Sequence, residues 1–245
     1  MKRIIMIVCI LMSITPNALP CRPLATEDCG TTPADKLSME VGFEFTMPEE
    51  TNTTYIVTNV FNYGLADNLD AGIEIPLVNL TQDAYGIGDV TLRSKYRLMI
   101  ETEMRPALLI KYTLKIPSGD EGKSLGSGKT DAGILLVLTK SFGDLTLFTN
   151  GGYNAIDLPK SDVWHNNTSF FGMGLQQAIA KDLNLLGEIT SKPYWGTDYS
   201  NNPVAGAVGI TWVINQKTTL DFAVRFGLAD SNREYSVING ISLNF

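Results

Sequence analysis

From Leu37 to the C-terminus, hydrophobic and polar residues alternate along most of the chain. Leu37, Met39, Val41, Phe43 and Phe45 are interleaved with Ser38, Glu40, Gly42, Glu44 and Thr46, the period of a strand with one apolar and one polar face. The alternation returns in Leu69, Ala71, Ile73 and Ile75 against Asp70, Gly72 and Glu74, and in Val90, Leu92, Tyr96 and Leu98 against Asp89, Thr91, Arg93, Lys95 and Arg97. It recurs in Leu108, Ile110, Tyr112, Leu114 and Ile116 against Lys111, Thr113 and Lys115, and in Leu220, Phe222, Val224, Phe226 and Leu228 against Thr219, Asp221, Ala223, Arg225 and Gly227. No segment carries a convincing helical period of 3.6.

The pattern predicts twelve strands, at 37–46, 54–63, 68–77, 87–100, 105–116, 130–141, 144–154, 168–180, 183–194, 204–214, 217–228 and 235–245. Short turns at 64–67, 101–104, 142–143, 181–182 and 215–216 alternate with longer polar loops at 47–53, 78–86, 117–129, 155–167, 196–203 and 229–234. An even number of alternating strands, with short turns at one end and long loops at the other, predicts an all-β fold: a transmembrane antiparallel up-and-down β-barrel of the outer-membrane kind. Lipid offers backbone groups no hydrogen-bond partner, so strands span a membrane only when the sheet closes on itself. A soluble sandwich or lipocalin-like barrel would bury its apolar face inside; the regular charges on the other face argue against it. Tyr235, Val237, Ile241, Leu243 and the terminal Phe245 share one face of the last strand, interrupted by Asn239, an ending similar to the C-terminal signal read by the barrel-assembly machinery.

Composition agrees once the pattern is known. The chain of 245 residues is 44% hydrophobic, yet its mean hydropathy is only +0.04, because alternating faces cancel in any window. No run supplies the roughly 20 apolar residues of a spanning helix. A net charge of -7 disfavours nucleic acid as a partner, since phosphate binding needs clustered Lys and Arg. One His and three Cys leave little for metal or thiol chemistry, and no metal or cofactor is expected.

At the N-terminus, Met1-Lys2-Arg3 followed by the apolar stretch 4–14 has the form of a secretory signal, ended by Pro16 and Asn17. The expected division is a signal peptide and leader at 1–25, cleaved within about 18–25, a periplasmic N-terminal segment at 26–36, and the barrel at 37–245. Export to an oxidising compartment makes a small Cys21–Cys29 disulfide loop the default, unless cleavage falls between the two.

A set of motifs carries a family resemblance. Gly86-Ile87-Gly88-Asp89-Val90-Thr91-Leu92 and Lys95-Tyr96-Arg97-Leu98 are followed by Lys115-Ile116-Pro117-Ser118-Gly119 and Leu125-Gly126-Ser127-Gly128-Lys129-Thr130-Asp131. With Lys140-Ser141-Phe142-Gly143 and Gly151-Gly152-Tyr153, they resemble the transporter-like outer-membrane proteins of the "meta-pathway of phenol degradation" family, over residues 37–245. The resemblance implies a monomeric barrel in outer-membrane lipid, passing aromatic or other small organic molecules. It brings no catalytic residue set with it.

If the apolar face meets lipid, the other lines a lumen whose charges are segregated. Glu40, Glu44, Asp70 and Glu74 form an acidic sector, with Asp89 on the fourth strand; Arg93, Lys95, Arg97, Lys111 and Lys115 form a basic one; Glu188, Lys192, Asp221 and Arg225 make a mixed far wall. Two readings stand: a transverse field across an aqueous pore that selects polar solutes, or charges that pair with one another and close the interior. Gly126–Thr130 does not make a phosphate loop, because position 123 is Lys and the segment leads into a strand. His165, with Ser161 and Ser169 nearby, is the sole basis for an outer-membrane lipid hydrolase, and no hydrolase motif surrounds it. Trp164, Tyr194, Trp195, Tyr199 and Trp212 read as interface aromatics. A passive channel for small organic solutes is thus expected, with a closed structural or adhesion barrel as the alternative.

Overall fold

The computed structural model describes residues 22–48, 53–80, 84–158, 167–193, 202–229 and 234–245. Its strands are β1 (Leu37–Pro48), β2 (Thr54–Ala66), β3 (Leu69–Leu80), β4 (Ala84–Ile87), β5 (Val90–Met99), β6 (Ala107–Ile116) and β7 (Thr130–Phe142). They continue with β8 (Leu145–Leu158), β9 (Thr168–Ala180), β10 (Leu183–Ser191), β11 (Val204–Asn215), β12 (Thr218–Gly227) and β13 (Glu234–Asn244). Neighbouring strands pair antiparallel, and β1 pairs with β13 from Ser38↔Asn244 to Pro48↔Glu234, which closes the sheet.

β4 and β5 share one stave, so the barrel has twelve. β3 pairs with β5 over Leu69–Glu74 and with β4 over Leu77–Leu80. Between them Pro76 has no N–H to give the ladder, and its carbonyl accepts from Gly88 N at 2.8 Å. This break divides the strand expected at 87–100; each of the other eleven expected spans falls on one observed strand. Among the described residues, no helix is long and apolar enough to cross a membrane.

The faces follow the alternation. Tyr112, Leu136, Phe171, Met173, Val208 and Phe222 stand exposed on the outside, an apolar belt that lipid would cover. Tyr55 and Tyr235 near the loop end, and Tyr63 and Trp212 near the turn end, are exposed at its two margins, where amphipathic rings meet headgroups. Tyr235, Val237, Ile241 and Leu243 face outward together, while Ser236, Ile238 and Ser242 are buried inside. Trp164, Tyr194, Trp195, Tyr199, His165 and Cys21 lie outside the described residues, as do residues 1–20, where most of the signal peptide is expected.

Two stretches break the alternation. Ala107–Ile110 and Ile134–Leu138 are apolar at every position, and they pair with Leu109 opposite Val137. Leu109 and Val137 point inward and are 0% exposed. What covers them is the N-terminal segment: Cys29, Ala107, Leu109 and Val137 form one cluster with Leu135 against it. Residues 22–25, expected at the end of the signal peptide and leader, and 26–35, expected in a periplasmic N-terminal segment, therefore lie against the inner wall of the barrel. The segment leaves beside β2, where Asp35 N donates to Gly64 O at 2.9 Å, and enters β1 at Leu37.

Candidate functional site: the charged lumen

The inner wall of the basic sector is built by register. Lys95 on β5 lies directly opposite Lys111 on β6, with Arg93 two residues along the same face. Like charges facing each other across strands repel, so this wall requires an anion. Glu27 supplies it. Its carboxylate takes Lys95 Nζ at 2.9 Å, Arg93 Nη2 at 3.4 Å and the Lys111 ammonium. The backbone of Glu27 is fixed independently: its N–H donates to Asn150 Oδ1 at 2.6 Å, and Asn150 Nδ2 donates to its carbonyl at 2.9 Å. Arg93 also approaches Glu74 at 3.7 Å.

The acidic groups meet the same segment. Glu188 accepts the N–H groups of Ala25 and Thr26, both at 2.9 Å, and the Thr26 hydroxyl at 3.0 Å. Asp70, buried, accepts Thr32 N at 2.8 Å. Asp221 pairs with Arg22 Nε at 3.4 Å, and Arg22 Nη2 donates to Asn239 O at 3.1 Å. Beside two of these carboxylates the register places glycine. Gly174 is opposite Glu188, and a Cβ there would stand 2.6 Å from the Thr26 hydroxyl. Gly240 is opposite both Asp221 and Gly42, and a Cβ on either would run into the Arg22 guanidinium. The wall thus holds a carboxylate and an adjoining notch for Thr26 and for Arg22.

The other expected lumen residues divide by location. Glu40 lines a recess of about 210 Å³ at the turn end, beside Asp70 and Lys95. Glu44 pairs with Arg225 at 2.9 Å across the wall. Arg97 donates to the carbonyls of Cys29 at 3.4 Å and Asp67 at 2.7 Å. Lys192 lines a second recess, of about 220 Å³, together with Glu27 and Lys111. Asp89 and Lys115 serve a loop: Asp89 accepts Gly119 N at 3.1 Å, Ser127 N at 2.8 Å and Ser127 Oγ at 3.0 Å. Lys115 binds Ser127 Oγ at 2.7 Å and pairs with Asp131. Loop 117–129 is drawn onto the wall by these bonds, with Leu125 buried.

Within the wall Arg93 meets Glu74 and Arg225 meets Glu44. Several of the charges are answered by the N-terminal segment rather than by the opposite wall. Arg22, Thr26, Glu27 and Thr32 are the residues that sequence reasoning missed. Cys29 has a free thiol that donates to Val137 O at 3.3 Å, while its N–H donates to Thr139 Oγ1 at 3.0 Å. Among the described residues no group of His, Cys, Asp and Glu is arranged to hold a metal ion.

The profile of the family described as "Putative MetA-pathway of phenol degradation" matches residues 22–245. The chain belongs to that family. The match includes the segment inside the barrel as well as the strands. Among solved structures, an outer membrane channel from Pseudomonas putida F1 is similar with a TM-score of 0.70 at 14% identity, covering 91% of this chain and 100% of that one. The NanC porin is similar with a TM-score of 0.62 at 14% identity, over 84% of this chain and 98% of that one. The CymD monoaromatic hydrocarbon channel has a TM-score of 0.50 at 10% identity, over 87% and 88%. No curated protein matches the sequence. At these identities the likeness is one of fold, and the fold is that of outer-membrane barrels.

Proposed function

We propose that this family member is an outer-membrane channel that passes small organic solutes passively and that its N-terminal segment stops the lumen at rest. The observation that carries the reading is a closed barrel whose inner charges are met by a segment that is not part of the wall. A wall needed only for rigidity has no use for facing lysines, and porin interiors are polar because solutes and water pass through them. The similar structures include a porin and a channel for monoaromatic hydrocarbons, and a small aromatic solute fits the family to which the chain belongs. The signal sequence exports the chain, the assembly machinery reads the strand ending at Phe245, and a monomer sits in outer-membrane lipid with its short turns toward the periplasm. The lumen residues act as binding and positioning groups; no catalytic role is assigned.

The bonds made by residues 25–32 also favour a second reading, a permanently closed barrel whose outer loops bind a partner. Liposome swelling separates the two. Vesicles carrying Glu27→Gln, in which the segment loses its three cationic partners, swell in small organic solutes if the channel reading holds; no swelling of those vesicles beyond protein-free ones with any solute tested would refute it.

A further inference from the structure

The Glu27 site has the chemistry of a ligand site occupied by the chain itself. Lys95 and Lys111 face each other in register, Arg93 completes the trio, and one carboxylate sits among them. Arg93 Nε has no hydrogen-bond partner among the described residues, so the cluster retains donor capacity that Glu27 does not use. If the segment withdraws, three clustered cations lose their main counter-ion. Removing one partner of a buried charge pair is far costlier than exchanging it. Withdrawal is therefore favourable only when another anion arrives.

The space next to Glu27 says which anion. The recess of about 220 Å³ has an apolar part at Leu135 and Phe170 and a polar rim of Lys111, Lys192, Thr113 and Asn154, with Glu27 of the segment on its open side. An apolar cavity of about 150 Å³ already accepts benzene, so one aromatic ring fits here with its edge substituent directed at Lys111. We propose that this recess and the Arg93–Lys95–Lys111 cluster form a binding site for a small aromatic monocarboxylate. The solute's ring occupies the recess, its carboxylate takes the place of Glu27, and the segment is released. The proposal rests on the channel reading and adds to it a solute class and a trigger.

Cys29 reports the release. Its thiol is buried against Val137 while the segment is seated, and Cys9→Ser with Cys21→Ser leaves it as the one thiol in the chain. In proteoliposomes of that protein, benzoate is expected to raise the rate of thiol labelling saturably, by about five-fold or more. Acetate should act only at higher concentration, and benzyl alcohol, with the ring and no charge, should leave the rate unchanged. Lys111→Gln should abolish the benzoate response and Lys111→Arg should keep it. An equal response to benzoate and benzyl alcohol, or none to benzoate, overturns the proposal. Planar-bilayer current through the same protein tests the channel reading separately. Current without a benzoate response refutes the site alone, and a benzoate response without current supports the site and refutes the channel.

Discussion

Two anchorages of the inner segment, at Glu27 and at Arg22, are held in different ways. Glu27 sits among three cations, and Asn150 clamps its backbone on both sides. Arg22 has one long ion pair of 3.4 Å to Asp221 and one carbonyl contact, and it rests in a notch made by two glycines. Asp221 Oδ1 finds no partner among the described residues. The first anchorage holds by charge that the wall cannot satisfy without it. The second also pairs charge, since buried Asp221 meets Arg22, but through one long contact where Glu27 meets three cations. A segment built this way should fray from the Arg22 end and be released as a whole only at Glu27.

Substitutions can break that asymmetry. Glu27→Gln strands three cations and should lower the local stability of residues 22–35 by about 3 kcal/mol, read by amide hydrogen exchange as fast exchange confined to the segment. Leu109→Ala empties the floor beneath Cys29. It should cost the segment about 2 kcal/mol and raise Cys29 labelling several-fold, with the barrel strands still protected. Gly42→Val fills the notch and expels the guanidinium, at about 1.5 kcal/mol for the lost charged contacts. Fraying should then reach Arg22 and Ala25 but stop short of Glu27. If Gly42→Val released Cys29 as fully as Glu27→Gln, the two anchors would be equivalent and the comparison wrong.

The smallest effect expected lies outside the lumen. Glu101, on the turn between β5 and β6, is pushed up by burial, but bonds from Ser141 N and Oγ and from Lys140 Nζ outweigh this and hold its carboxyl below the ordinary range. A carboxyl lowered on folding adds stability that is full above its unfolded value and is lost as pH falls through the folded one. This clasp should therefore hold at neutral pH and loosen in acid, and Glu101→Gln should leave Cys29 labelling unchanged.

How much of this was legible depends on the length scale of the signal. The strands were readable because each carries its own period, so Leu37–Phe45 or Leu220–Leu228 identifies itself without reference to the rest of the chain. Residues 22–35 carry no period, and their partners lie far away in sequence: Glu27 is 84 residues from Lys111 and Thr26 is 162 from Glu188. Local pattern cannot report such pairs. Signals of the segment were nonetheless present in the wall. The alternation fails at 107–110 and 134–138, where lipid covers one face and the segment the other, and glycine stands on the inner face at 42, 174 and 240 where the segment presses closest. Asp89 shows the reverse case. Its alternation was right, but its use as the anchor of loop 117–129 depends on backbone donors that no side-chain pattern records.

A channel closed by its own N-terminal segment, with Glu27 as the latch, must open when that carboxylate is removed. Single-channel conductance in planar bilayers tests it most directly, comparing the unaltered chain with Glu27→Gln at the same salt and voltage. The account predicts a small conductance for the unaltered protein and a larger, long-lived open level for Glu27→Gln. Identical conductance levels and open times in the two proteins would contradict it.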